Sequence, residues 1–236
     1  MADGELISVI IPVFNGDRYI AEAIESVLAQ ECDNIEIIAV NDGSTDCTEK
    51  IIRSYDNVRY LYQSRQGAAS ARNRGVKYSS GEFLAFLDAD DLWTKDKLEI
   101  QTSLFRADPS IDMVFGHVEQ FFSPELAESL RATVQLVAGS TPGYFPSAML
   151  VRREAFLHTG FFDARYRVGE FIDWFMRAQD GGLNSHLAAE VVVKRRIHDA
   201  NTSLRERDSQ KDYLRVLKAS LDRKRKNREK GERSGE

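Results

Sequence analysis

The sequence predicts an α/β fold: a mainly parallel sheet flanked by helices, with a charged helix at the C-terminal end. Three observations carry this expectation. Short β-branched runs, apolar on both faces, alternate with amphipathic stretches through the first half, as buried parallel strands alternate with crossover helices. Each of those runs ends in a polar segment, where such sheets place their ligands. Residues 205–236 hold twelve Lys/Arg against seven Asp/Glu, whereas the whole chain carries a net charge of −5. A basic tail therefore follows an acidic body.

The elements follow in order. Residues 6–14, LISVIIPVF, form a run too short for a helix and predict a buried strand. Residues 17–30 place Ile20, Ile24, Val27 and Leu28 at helical spacing. Residues 35–40 predict the second strand, and Ser44, Thr45 and Asp46 cap a helix running to about Tyr55. Strand 58–62, helix 68–78 and strand 83–87 repeat the pattern, and helix 95–106 and strand 111–118 complete the first half. Residues 121–143 have weak periodicity and read as a helix and a loop between strands. Helix 169–179, strand 191–197 and a long charged helix over 205–228 close the chain.

These elements predict one domain over residues 1–204, with a first half at 6–118 and a second at 119–204, and an appended tail whose end is disordered. A length of 236 residues with 42% hydrophobic and 29% charged composition excludes fibrous and wholly disordered classes. No apolar run is long enough to cross a bilayer. The acidic start, Met1 to Glu5, predicts no secretory signal, and two cysteines without metal-ligand spacing fit a reducing cytoplasm. The acidic body argues against nucleic-acid binding. The basic tail leaves weak peripheral contact with an inner membrane face as an expectation.

The strand ends supply the chemistry. They read Pro12-Val13-Phe14-Asn15-Gly16, Asn41-Asp42-Gly43-Ser44, Gln63-Ser64-Arg65-Gln66-Gly67 and Asp88-Ala89-Asp90-Asp91. No G-x-G-x-x-G follows the first strand, and the phosphate-loop and nucleophile-elbow patterns are absent. Dinucleotide oxidoreduction, P-loop hydrolysis and α/β-hydrolase chemistry are thereby disfavoured. Asp88 and Asp90 stand two apart in extended chain, so both carboxylates can face one hard cation such as Mg²⁺ or Mn²⁺.

Four segments taken together, Val9 to Asn15, Val40 to Asp46, Gly67 to Gly75 and Phe86 to Asp91, resemble family 2 glycosyltransferases in order and spacing. The resemblance implies a GT-A fold and inverting transfer of a sugar from a UDP-sugar, with Mn²⁺ or Mg²⁺. It implies that Pro12, Phe14 and Asn15 line the nucleotide pocket and that Asp42 accepts from the uracil N3–H. Arg72 would approach the base or diphosphate with Asn73 nearby. Asp88 would hold the ribose side and Asp90 the metal, with Ala89 between them. Residues 196–203 resemble a late R-x-H-x-x-N-x-S element of the family, which makes His198 a candidate metal or diphosphate contact.

Inversion requires a carboxylate to deprotonate the acceptor hydroxyl. The family usually has Glu-Asp where this chain has Glu170-Phe171, the Asp being the base, so the candidates here are Glu170 and Asp173. They stand three apart, on one face of a predicted helix. Asp163, in a G-x-F-D-like turn, reads as structural. The acceptor (a glycan, lipid-linked glycan, peptide or small molecule) is not legible. Two rivals remain: a sugar-1-phosphate nucleotidyltransferase, disfavoured because the loop after the first strand lacks basic residues, and a non-catalytic nucleotide-sugar-binding protein, motivated by Phe171.

Overall fold

The structure, a computed structural model, describes residues 5–32, 34–132, 134–199, 201 and 210–233. Strands β1 (Ile7–Val13), β2 (Ile35–Asp42), β3 (Val58–Gln63) and β4 (Phe83–Phe86) pair in parallel in the order β3-β2-β1-β4. Helices α1 (Ile20–Leu28), α2 (Thr48–Ile52) and α3 (Ala68–Tyr78) cross between them. This is the alternation expected from the sequence.

β1 sits in the middle of the parallel set and is buried along its whole length. Its side chains alternate between faces. Ile7, Val9, Ile11 and Val13 join one apolar cluster with Ile20, Ile24 and Val27 of α1 and with Leu98 and Phe105 of α4 (Lys97–Ala107). Ile10 points the other way, into a cluster with Ala69, Ala71 and Val76 of α3 and with Phe156 and Trp174. Gly75 lets α3 approach: a Cβ there would stand 2.3 Å from Ile10 Cγ2. Any side chain at 75 would push the helix off the sheet.

Beyond β4 the sheet is mixed. It continues through β8 (Leu150–Arg152), β6 (Met113–Phe122), β9 (Ser185–Ile197) and β5 (Leu92–Trp93), and β7 (Ser140–Pro142) pairs with β6. β8 runs antiparallel to both β4 and β6, whereas β6 and β9 are parallel. The second half also contains α5 (Glu128–Arg131), α6 (Arg153–Thr159) and α7 (Glu170–Asp180). Residues 121–143, expected as a helix and a loop, form the end of β6, the single turn of α5, and β7.

The final helix, α8 (Gln210–Arg233), packs on α7. The helix expected over 205–228 runs from Gln210 to Arg233, so residues 229–233 are helical where the sequence predicts a disordered end, and residues 205–209 and 234–236 lie outside the described residues. Among the described residues no helix is long and apolar enough to cross a membrane.

Candidate active site

The carboxyl ends of β1, β2, β3 and β4 meet at one edge, where parallel sheets bind ligands. Asp42, the last residue of β2, is buried. Its Oδ1 accepts from Gln63 Nε2 and from the Gln66 backbone N–H, and its Oδ2 accepts from the Gly67 N–H, each at 2.8 Å. Gly67 makes this possible with φ +94° at the start of α3, a region a β-carbon disfavours. Asp42 thus ties the ends of β2 and β3 to α3.

The loop after β1 is tied to the loop after β2. Asn15, at φ +48°, accepts through Oδ1 from the Thr45 N–H at 2.8 Å, and its own N–H donates to Ser44 Oγ at 2.9 Å. Asp46 accepts from the Thr48 N–H two residues on and from the Asp17 N–H, while Cys47 stands at the N-cap of α2. Pro12 is buried within β1 opposite Val40, so it acts on the site only through the strand. The Phe14 ring is exposed, and the Arg65 guanidinium lies 3.3 Å from its centroid. Arg65 stands in the polar segment just after β3, and its side chain meets Phe14 only after β1, β2 and β3 are laid side by side.

Just past β4, Asp88 meets Arg72, which also holds Glu170. Arg72 Nη2 donates to Asp88 Oδ1 at 2.6 Å and Nη1 to Glu170 Oε1 at 2.7 Å. Arg72 is only 4% exposed. Burial opposes its charge, but Asp88 and Glu170 outweigh that and hold the guanidinium protonated above its ordinary range. The Asp88 backbone N–H donates to Ser147 Oγ, and Ala89 lies between β4 and the loop at Gly16.

Asp90 and His198 come together at the carboxyl edge of the sheet. His198 Nε2 and Asp90 Oδ2 are 2.8 Å apart, and Asn201 Nδ2 donates to the same oxygen at 3.3 Å. Thr202 and Ser203 of that motif lie outside the described residues. Arg196 donates through Nε to the Asp90 carbonyl and pairs with Glu22 on α1. Tyr19, which no sequence signal singled out, packs its ring 4.8 Å from that of His198. The neighbouring Asp91 is buried, and burial, with the charges of Asp90 and Asp88, holds its carboxyl well above the usual range.

Among the described residues no group of three or more His, Cys, Asp or Glu could hold an ion. Asp90 and His198 supply one carboxylate and one imidazole, donors of the kind that would hold Mg²⁺ or Mn²⁺.

Two expectations need correction. Asn73, expected near the nucleotide, commits its side-chain amide elsewhere: it donates to the Phe162 carbonyl and accepts from the Phe162 N–H, which fastens α3 to the turn before α7. Asp173 does not share a site with Glu170. It is buried, and its two oxygens accept from Arg177 Nε at 2.9 Å and Arg223 Nη1 at 3.0 Å, facing α8. Phe171 points into the core against Phe115, Trp174 and Phe175. Of the acids on α7, Glu170 alone is seen to pair with Arg72, whose other Nη holds Asp88. Asp163 accepts from Arg165 within its turn.

The chain matches the family described as glycosyl transferase family 2 over residues 8–160. It is 34% identical over 218 residues to an uncharacterized glycosyltransferase of Rickettsia typhi, covering 84% of this chain and 66% of that protein. It is 38% identical over 120 residues to the UDP-Glc:alpha-D-GlcNAc-diphosphoundecaprenol beta-1,3-glucosyltransferase WfgD of Escherichia coli, covering 50% of this chain and 47% of that one. The chain thus spans about half to two thirds of these two relatives' lengths. Among solved structures, S. aureus TarS superposes with a TM-score of 0.69 at 20% identity, over 91% of this chain and 64% of that one. That likeness bears out the GT-A fold. With a family match over 153 consecutive residues and a curled, mainly parallel sheet carrying the four expected motifs at one edge, the chain belongs to glycosyl transferase family 2.

Proposed function

We propose that this protein transfers a sugar from a UDP-sugar to an acceptor hydroxyl with inversion, using Mn²⁺ or Mg²⁺. The observation that carries the reading is the meeting of Asp88 from the first half with Glu170 from the second through one buried guanidinium, beside the Asp90–His198 pair. Donor-side and acceptor-side carboxylates then flank one place. Complexes of S. aureus TarS with UDP and with UDP-GlcNAc support a uridine donor, as does the UDP-Glc donor of WfgD.

The chain's own residues have these roles. The exposed Phe14 ring offers a stacking face, and Asp42 retains acceptor capacity for a nucleobase N–H. Asp90 and His198 would hold the cation, and Asp88 would accept from the ribose. When bound, the ion neutralises the charge that builds on the departing diphosphate. Glu170, oriented by Arg72, takes the acceptor's proton as the acceptor oxygen bonds to the anomeric carbon and the bond to the diphosphate breaks. UDP leaves.

A second reading, nucleotide-sugar binding without transfer, is favoured by Phe171 alone. Its side chain is in the core and supplies no base. Incubation with a set of UDP-sugars and Mn²⁺, followed by assay of released UDP, tests the proposal. UDP release above the protein-free rate supports transfer or its hydrolytic shadow. Tight UDP binding without release from any donor would favour the second reading.

A further inference from the structure

The outer face of α8 carries apolar side chains that are largely exposed to solvent. One side of the helix is docked: Val216 and Ser220 are buried, Asp212 accepts from the Arg167 N–H, and Arg223 reaches Asp173. On another side Leu214, Leu217 and Leu221 are 66%, 47% and 69% exposed, and Tyr213 is 45% exposed. Their spacing places them on one stripe. Exposed Arg215, Lys218 and Arg225 lie along the same helix, whose sequence holds ten Lys/Arg against four Asp/Glu. Residues 1–204, by contrast, hold twenty Lys/Arg against thirty Asp/Glu.

We infer that α8 is an interfacial anchor that seats the second half of the molecule on an anionic phospholipid surface. A helix with a narrow apolar stripe, cationic flanks and low overall hydrophobicity has the composition that lies flat at a headgroup boundary. Lysine and arginine stems extend along that boundary while their charges meet lipid phosphates. Pairing of the same stripe between two copies would bring two strongly positive helices together, which like-charge repulsion opposes. The acidic body is repelled by the same lipid surface, so α8 sets the orientation. A β-carbon placed on Gly169 would lie 3.5 Å from Tyr213 and Val216. The start of α7, with Glu170, is therefore held next to the anchored helix. This inference does not depend on the transfer reaction.

The experiment is co-sedimentation of the full chain with phosphatidylcholine vesicles, with and without phosphatidylglycerol, at low and high salt. The expected result is binding to the anionic vesicles only, weakened by salt. Leu217→Ser with Leu221→Ser, and separately Lys218→Glu with Arg225→Glu, should each weaken binding about tenfold or more. All four side chains are exposed, and a thermal melt verifies that the fold is kept. Failure of the wild type to sediment with anionic vesicles would overturn the inference, as would leucine variants that bind like wild type. So would light scattering that shows a wild-type dimer dissolved by the leucine substitutions, which would assign the stripe to a second copy.

Discussion

Arg72 and Glu170 stand 98 positions apart in the chain and 2.7 Å apart in the fold, and the same guanidinium reaches Asp88. This contact joins α3 and the end of β4 to the first residue of α7. Removing the cation would leave two carboxylates facing each other. Breaking a buried pair costs about 3–5 kcal/mol, and the lower end applies because the Asp88 side chain is a third exposed. Arg72→Met should therefore lower the urea midpoint by an amount worth about 3 kcal/mol, at unchanged slope. Arg72→Lys should recover only part of that, because it lacks the planar fork that meets both acids. Equal midpoints for Arg72→Met and wild type would remove the pair from the account.

Glu170 and Asp173, three residues apart on α7, should behave differently. Glu170→Gln should slow transfer by about 10²–10⁴-fold as a lost general base, with UDP affinity close to wild type. Asp173→Ala removes the partner of Arg177 and Arg223. It should destabilise α7 against α8 by about 1–3 kcal/mol and speed hydrogen exchange there, with transfer rate per folded molecule retained. A loss of turnover in Asp173→Ala matching that in Glu170→Gln would reverse these roles.

Asp42 should confer preference for uridine nucleotides. Three protein donors occupy its carboxylate, which has about four acceptor positions. Uracil N3–H can fill the last, whereas cytosine N3 has no proton to give. Calorimetry should show UDP binding more tightly than CDP by about 1–3 kcal/mol. Asp42→Asn, with one acceptor oxygen in place of two, should erase that gap and also loosen the start of α3. Equal affinities in the wild type would contradict the assignment.

The donor edge was legible because parallel strands announce themselves. β1 is apolar at nearly every position, and the Asn15-Gly16 pair just beyond it suits the turn needed there. The second half hid for physical reasons. β8 is three residues long, too short for any periodicity, and it runs straight into α6. β9 carries a register shift against β6 near His117, so its alternation breaks. Asp173 read as a site acid because helical spacing places it three residues after Glu170. Only the docking of α8, which delivers Arg223 from fifty residues away, decides that it faces elsewhere. Asn73 likewise looked like a ligand contact until the turn at Phe162 took both of its amide atoms.

The most direct test of the donor site is titration of UDP into wild type and Asp90→Ala, each with Mn²⁺ and with EDTA. Asp90 lies at the carboxyl edge of the sheet, its Oδ2 beside His198 Nε2, and contributes nothing to the apolar core. The account predicts UDP binding by wild type that requires Mn²⁺, and loss of that binding in Asp90→Ala with an unchanged thermal melt. His198→Ala should weaken it less, since the carboxylate ligand remains. Tight UDP binding by wild type in EDTA, or Mn²⁺-dependent binding that survives in Asp90→Ala, would contradict the account.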